Sequence, residues 1–357
     1  MNEEGLEKYY ENGHTCCGAG YLRFFLMAFV CFWSFGFPEP TGFLGAISGF
    51  AIPCFFILSG YFVLTNKKEE RLKRTQRKIK RSLKCLACMF VFYLLLNIAV
   101  CIIGKISVTV SLRTVFNFIV LNLWPLPVGS NIWFIQSILY AYILIYIADK
   151  LNLMKYYKTV LILSLVLMVL VGEFAGLIHF NILGYQYIPG NWLTRAIPYI
   201  LLGKFLREKN NSLFKINTWK YIFFFVIGAV LSLAEIIILG RIGFLVYEGH
   251  MIGYGIMAFS ACGLAVSNPK AKSSHLTNYD TALSGIIYIF MDPIYYVMGL
   301  IAGYENIGYF SYFGGLLALI SSILLSLLLR KSFIATQFFS YRKHRIHNKK
   351  KLKGKES

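Results

Sequence analysis

Ala-Ile-Pro-Cys-Phe-Phe-Ile-Leu-Ser-Gly-Tyr-Phe-Val-Leu-Thr, residues 51–65, is an apolar run that stops abruptly at a basic block, residues 67–84. The block holds ten Lys or Arg residues against Glu69 and Glu70. A long apolar segment followed by a short basic loop is typical of a membrane span whose end is held on the cytoplasmic side. This junction therefore predicts an orientation from which every later span can be counted.

The composition indicates a membrane protein. The 357 residues are 57% hydrophobic and only 15% charged, whereas a soluble domain carries roughly a quarter charged residues. The net charge of +20 would also suit a nucleic-acid binder. However, the charges lie in loops and in the tail, where positive-inside topology and anionic headgroups explain them. We expect membrane lipids and no nucleic acid as partners.

Apolar stretches near the 20 residues that a helix needs to cross the bilayer recur along the whole chain. They predict an all-α fold, a polytopic membrane bundle of about ten transmembrane helices. The stretch 114–124 is a candidate interfacial or re-entrant segment. The predicted spans are 20–38, 43–65, 85–104, 131–149, 159–178, 192–206, 219–240, 248–267, 282–302 and 309–330.

The distribution of basic residues supports this topology. One predicted side holds nearly all Lys and Arg, and the opposite loops hold only Lys105, Arg113 and Arg241. The polar start shows no cleavable signal peptide, so the first apolar run should remain a span. We expect a multi-pass protein of the inner (plasma) membrane with both termini cytoplasmic. Its expected parts are a cytoplasmic N-terminal segment 1–19, a membrane domain 20–330 and a basic cytoplasmic tail 331–357.

Polar side chains inside the predicted spans are functional-site hypotheses, because an ionisable group costs several kcal/mol there unless it is paired or wetted. Those in outward-facing halves or at outer span ends are Ser34, Asn131, Glu173, Arg195 and Glu235, with His179 and His250 in or beside outer loops. Arg23 and Ser59 lie in inner halves, and Asp292 lies near the middle of the ninth span.

Structural roles compete with these hypotheses. Arg195 can form an interhelical ion pair with Glu173, Glu235 or Asp292, and Arg23 can snorkel to the headgroups. Asp292 is harder to assign to packing, because Pro293 frees a backbone carbonyl one turn earlier. Irregular backbone at that depth requires protein or water to receive it, which predicts a water-filled cavity there.

Motifs of soluble enzymes are missing from the sequence: it holds no P-loop, GxSxG, HExxH or dinucleotide fingerprint. Cys85 and Cys88 have CxxC spacing, but no second pair or His cluster completes a metal site. The cysteines lie mostly in or beside apolar runs, where packing explains them.

Several segments together resemble acyltransferase family 3, bacterial integral membrane proteins that transfer acyl groups to envelope sugars and other acceptors. Phe55-Phe56-Ile57-Leu58-Ser59-Gly60-Tyr61 before the basic block is similar to the family's FFxxSGY segment. The other segments are Tyr21-Leu22-Arg23-Phe24-Phe25, the stretch 131–140 beginning Asn-Ile-Trp-Phe, the stretch 195–203 beginning Arg-Ala-Ile-Pro, and Ser284-Gly285-Ile286-Ile287-Tyr288-Ile289-Phe290.

The chain departs from the family at its histidines. Ser34, Asn131 and Asp292 stand where the resemblance leads us to expect His. Transfer to a hydroxyl needs a general base, which His supplies near neutral pH. Serine cannot be that base, and Ser34 as a relay nucleophile would need one beside it. Asp292 is the best surviving base.

The resemblance implies an envelope acyltransferase, active in polysaccharide modification, that uses acyl-CoA as co-substrate and no bound cofactor. The acceptor would be a carbohydrate or glycolipid. Arg23 and the basic block would face the CoA phosphates. The alternatives are an inactive family member acting as a membrane binding or transport component, and a transporter outside the family. Candidate catalytic residues are Asp292, Ser34 and Arg23, and candidate substrate-binding residues are Arg195, Asn131, Trp133, Ser59, Tyr61 and Glu235.

Overall fold

The structure is a computed structural model. It describes residues 16–35, 43–104, 111–173, 191–213, 218–241, 251–267, 275–302 and 308–329. His179, His250, the segment before residue 16, the tail after residue 329 and the Glu173 side chain lie outside the described residues.

Helices form all of the regular structure in this part of the chain, which confirms the all-α membrane bundle. In chain order they are α1 (Cys17–Phe35), α2 (Phe43–Ser48), α3 (Ala51–Val63), α4 (Lys68–Gly104), α5 (Leu112–Leu121), α6 (Ile132–Lys150), α7 (Tyr157–Met168), α8 (Ile197–Leu213), α9 (Thr218–Arg241), α10 (Ile252–Ser267), α11 (His275–Ala302) and α12 (Gly308–Leu329). A 3₁₀ turn, Leu153–Tyr156, precedes α7, and π-helical turns extend α7 over Val169–Glu173 and precede α8 over Trp192–Ala196.

Within the described residues, each predicted span overlaps helical structure. Five described helices are long and apolar enough to cross a membrane: Cys17–Phe35, Lys68–Ile103, Ile132–Lys150, Leu153–Val171 and Thr218–Leu239. The predicted second span is broken by a turn into α2 and α3. The segment predicted at 114–124 overlaps α5, which Ser111 caps through the backbone N–H of Thr114.

The basic block is helical, and the prediction of a basic loop there was wrong. It forms the first half of the 37-residue helix α4. Lys and Arg favour helix, and Glu69 and Glu70 lie in the first turn, where the helix dipole favours negative charge. Glu70 also pairs with Arg74 one turn later.

Arginines satisfy the carbonyls at and just beyond the C-terminus of α3. Arg207 donates to the Tyr61 carbonyl at 3.0 Å, and Arg74 donates to that of Phe62 at 2.9 Å. Arg71 donates to the Thr65 and Asn66 carbonyls. Since the last carbonyls of a helix have no partner within it and carry partial negative charge, these arginines stabilise the end of α3. We call this side of the bundle the basic end.

A buried ion pair joins α4 to the last turn of α6 at the basic end. Arg71 Nε and Nη2 donate to the two carboxylate oxygens of Asp149 at 2.8 and 2.6 Å. The residues are 7% and 2% exposed. The fork geometry and the two further carbonyl bonds of Arg71 give the charges the partners that burial requires.

Two glycines set the crossing of α3 and α8. A Cβ on Gly60 would lie 2.0 Å from the Ile200 carbonyl oxygen, and one on Gly203 would lie 2.1 Å from that of Ile57. The backbones are therefore in direct contact, as small residues allow between membrane helices. This contact holds the FFxxSGY-like segment against the segment that begins at Arg195.

We expect Gly203→Ala to lower the free energy of unfolding by about 1–3 kcal/mol, because the added methyl forces the two backbones apart. Thermal unfolding in mild detergent, followed by tryptophan fluorescence, measures the loss. Gly255→Ala is the matched control, because its nearest neighbour beyond the local helix would be the Tyr199 hydroxyl at 3.5 Å, an ordinary contact. Equal stability of the two variants would contradict the close crossing.

Candidate functional site

A cavity of about 180 Å³ lies between α1, α3, α4, α6 and α11. We call it the basic-end cavity, because Lys78 and Arg81 from the basic half of α4 line it together with Arg23 of α1. Its walls are otherwise mainly aliphatic and aromatic, and among the described residues that line it there is no Asp or Glu. It therefore combines a positive region with an apolar interior, which suits an anionic ligand that has an apolar part.

The spacing of residues on α4 explains how this helix lines the cavity. Lys78, Arg81, Ser82 and Cys85 recur at intervals of three and four, so they lie along one side of the helix. From α1, the Arg23 guanidinium lies 5.2 Å from the centre of the Phe62 ring. This cation–π contact holds Arg23 beside α3.

Hydroxyl groups add polarity inside the cavity. Ser59 of α3 and the Tyr142 hydroxyl of α6 form a hydrogen bond of 2.9 Å. Ser82 and Ser284 line the same cavity. Ser59 is thus the predicted substrate-binding residue that the structure places beside Arg23.

The aromatic side chains of Tyr288 and Phe134 form the wall of the cavity nearest the start of α6. Both line it, and their ring centres are 5.3 Å apart. The Tyr288 hydroxyl donates to the Asn131 carbonyl at 2.9 Å, and the Asn131 amide donates to the Tyr288 carbonyl at 3.0 Å. This reciprocal pair joins the cavity wall to the polar groups around the α6 N-terminus, which we call the far-end cluster: Asn131, Trp133, Arg195 and Asp292.

Asp292 binds the turn that precedes α6. Its Oδ2 accepts the backbone N–H groups of Gly129 at 2.6 Å and Ser130 at 3.0 Å, and the Ser130 hydroxyl also bonds to the carboxylate. The two donors belong to the turn just before α6, whose N-cap residue is Asn131, and a carboxylate close to a helix N-terminus interacts favourably with the helix dipole. This geometry supplies a structural role for Asp292 at one of the positions where the family resemblance led us to expect His.

The helix α11 continues through Pro293, although the sequence led us to expect an interruption with a water-filled cavity. Pro293 leaves the Ile289 carbonyl without its donor one turn earlier. The Tyr93 hydroxyl of α4 donates to that carbonyl at 2.7 Å. The Tyr93 side chain therefore supplies the hydrogen bond that the proline removes.

Arg195 and Trp133 meet at the far end. Arg195 is 6% exposed, and its guanidinium lies 5.5 Å from the centre of the Trp133 ring. Its π-helical turn begins at Asn191, whose side chain accepts the backbone N–H groups of Leu193 and Thr194. The side chains of Tyr199 and Tyr254 interact electrostatically with the Arg195 guanidinium. Trp133 thus connects Arg195 to the turn that carries Asn131.

The remaining predicted residues lie elsewhere. Ser34 is exposed at the end of α1 and is not among the residues that line the basic-end cavity. Tyr61 is fully buried, with the Arg207 guanidinium 5.8 Å from its ring centre. Glu235 of α9 accepts the Gly253 N–H at 3.3 Å, between α9 and α10. The predicted site is therefore divided: Arg23 and Ser59 line the basic-end cavity, whereas Asp292, Asn131, Trp133 and Arg195 lie in the far-end cluster.

Several residues of the site were not singled out from the sequence. Lys78 and Arg81 were treated as part of a uniform block, and Tyr142, Ser284 and Tyr288 had no individual prediction. The three-and-four spacing on α4 was a signal for the first two. The aromatic and hydroxyl residues resemble ordinary interior residues in a chain that is 17% aromatic.

Comparison with known proteins identifies the family. A model described as an acyltransferase domain, of acyltransferase family 3, matches residues 19–331. This is most of the chain, so the protein belongs to that family of membrane acyltransferases. No curated protein and no solved structure matches the sequence.

Proposed function

We propose that this chain is a membrane O-acyltransferase that moves an acyl group from acyl-CoA to a carbohydrate or glycolipid of the bacterial cell envelope. Family membership supports acyl transfer. The observation that carries the choice of donor is the convergence of Arg23, Lys78 and Arg81 on a cavity whose other walls are mainly apolar.

The CoA phosphates would pair with these three cations. Charge-assisted bonds from guanidinium and ammonium groups to phosphate are among the stronger hydrogen bonds in proteins. The pantetheine arm and acyl group would then extend along the apolar walls toward Tyr288 and Phe134. Ser59, whose hydroxyl is hydrogen-bonded to that of Tyr142, would supply a hydroxyl contact within the cavity.

The basic end would face the cytoplasm, where acyl-CoA is available. The positive-inside rule supports this orientation, with both termini cytoplasmic and the protein in the inner membrane. Membrane lipids would surround the bundle. The part that performs transfer would be the domain 20–330, flanked by the segment 1–19 and the basic tail 331–357.

The acceptor would bind at the far-end cluster. Its hydroxyl oxygen attacks the thioester carbonyl, the new C–O bond forms, the C–S bond breaks, and the hydroxyl proton passes through the base to the CoA sulfur. Asp292 would be that base, and Arg195 would stabilise the developing negative charge. Asn131 and Trp133 would contribute to acceptor binding, and Ser34 would be a relay only with a base beside it. Tyr61, buried at the basic end, and Glu235, between α9 and α10, would have structural roles instead.

A second candidate function is a non-catalytic family member that binds or transports such a ligand. A specific observation favours it: the Asp292 carboxylate already accepts two backbone N–H groups, and Asn131 is engaged with Tyr288. Side chains at two of the three positions where we expected His therefore have structural roles. Such a protein would bind the ligand in the same cavity but would not transfer the acyl group.

Asp292→Asn separates the two functions. The amide oxygen of Asn can still accept the Gly129 and Ser130 N–H groups, so we expect the variant to fold with a loss of about 0.3–1 kcal/mol from the dipole interaction. If Asp292 is the base, release of the acyl group from labelled acyl-CoA should fall by about 10²–10⁴-fold. Purified wild type and variant are compared with acceptor present.

Asp292→Leu is the companion variant. It removes both the charge and the oxygen that accepts the Gly129 and Ser130 N–H groups, so it should lower stability further. Wild-type activity in Asp292→Asn would contradict the role as base. Binding of acyl-CoA by a wild type that turns over no donor would favour the non-catalytic member.

A further inference from the structure

An exposed row of basic side chains runs along the first half of α4. We call it the basic stripe; its members, Lys73, Arg77, Lys80 and Lys84, are all exposed. At 3.6 residues per turn they lie within about 60° of one another around the helix axis. They therefore form one continuous positive surface.

The opposite side of the same helical turns is occupied. Arg71, Thr75 and Ser82 are buried there, and Lys78 lines the basic-end cavity. Within the basic block, Arg71 and Arg74 therefore hold the helix against its neighbours: Arg71 binds Asp149, and Arg74 binds the end of α3. The basic stripe faces outward, immediately beside the cavity wall.

The length of α4 places the outer part of the stripe beyond the membrane. The helix has 37 residues and spans about 55 Å, against a hydrocarbon core of about 30 Å. Its apolar part begins at Cys85, so the basic half projects about 25 Å along the same axis. With the axis along the bilayer normal, Lys80 lies about 6 Å, Arg77 about 10 Å and Lys73 about 16 Å beyond Lys84. The headgroup layer is about 5–8 Å thick on each side of the hydrocarbon core. Lys84 and Lys80 therefore lie at headgroup depth, and Arg77 and Lys73 project beyond it into water.

We propose that the basic stripe docks a small acidic protein that carries the acyl group as a phosphopantetheine thioester and delivers this arm into the basic-end cavity. The inference rests on the proposed function, because it specifies the form of the acyl donor. Complementary charge steers and orients such a partner. Its phosphate would meet Lys78 and Arg81, which lie on the same turns of α4 as the stripe.

The size of the cavity suits the phosphopantetheine arm and not the carrier protein itself. Its volume of about 180 Å³ admits a thin chain, while the carrier remains outside on the stripe. The transfer step is balanced as for CoA: the C–S bond of the thioester breaks, the acyl group joins the acceptor oxygen, and the acceptor's proton goes to the carrier's sulfur.

The test uses the full chain in nanodiscs of neutral phosphatidylcholine and an acidic acyl carrier protein with a labelled acyl-phosphopantetheine arm. The variant is Lys73→Gln/Arg77→Gln/Lys80→Gln. We expect its Kd for the carrier to rise about tenfold or more, with a weaker dependence on salt. Its Kd for acyl-CoA should stay within about twofold, because the cavity cations are intact. Lys155→Gln/Lys158→Gln, which neutralises exposed lysines elsewhere at the basic end, should change neither Kd.

Equal carrier binding by wild type and triple variant would overturn the proposal, as would a wild type that does not bind the carrier. A triple variant that loses only its binding to phosphatidylglycerol vesicles would show the stripe to be a membrane contact and would also overturn it. A wild type that releases the acyl group from neither donor contradicts the proposed function. The Kd values for the carrier still decide the docking proposal in that case.

Discussion

Asp149→Ala should lower the free energy of unfolding by about 3–5 kcal/mol, because it leaves the buried Arg71 guanidinium without its counter-charge. Arg71 would keep its bonds to the Thr65 and Asn66 carbonyls, but these do not neutralise the charge. The loss should appear as a lower midpoint of thermal unfolding in mild detergent, followed by tryptophan fluorescence.

Two further variants identify the cause. Glu69→Ala removes an exposed carboxylate at the same end and should change stability by less than about 0.5 kcal/mol. Arg71→Met/Asp149→Leu replaces both charges with apolar groups and should recover most of the loss. An Asp149→Ala variant as stable as Glu69→Ala would show that the pair does not stabilise the junction of α4 and α6.

Arg23→Gln/Lys78→Gln should weaken acyl-CoA binding by about 10²–10⁴-fold, because each substitution removes a charge-assisted bond worth about 1.5–3 kcal/mol. The two side chains reach the basic-end cavity from different helices, α1 and α4. Equilibrium binding of radiolabelled acyl-CoA to the purified protein measures the loss.

Lys158→Gln is the control for this pair, because Lys158 is exposed on α7 and is not a cavity-lining residue. A thermal midpoint near that of wild type should accompany the weaker binding of the double variant. Unchanged affinity in a folded double variant would show that Arg23 and Lys78 do not receive the donor's phosphates.

The helical membrane bundle could be predicted from the sequence because apolar length and loop charge are local properties. The helical state of the basic block was missed, because a basic stretch beside a span is typical of a cytoplasmic loop. The Arg71–Asp149 pair joins residues 78 positions apart, and a local pattern does not show such a partner. The spacing of Gly60 and Gly203 likewise does not show that their helices cross there.

The candidate site could be predicted only in part. The polar residues in spans were found because they are rare there, but which ones meet depends on helix packing. Pro293 indicated a freed carbonyl, yet nothing near it in sequence identified Tyr93 as the donor. Asp292 was selected as a charged group at depth, and its bonds to Gly129 and Ser130 depend on the position of another helix.

Photo-crosslinking tests most directly whether an acyl donor enters the basic-end cavity. An acyl-CoA with a photoreactive group on its acyl chain is irradiated with the purified protein, and the labelled peptides are identified by mass spectrometry. We predict labelling of cavity-lining segments around Met27, Ile135 and Tyr288, competed by unlabelled acyl-CoA and reduced in Arg23→Gln/Lys78→Gln. Competable labelling confined to peptides outside this cavity, such as those of α9 and α12, would contradict the proposed donor site.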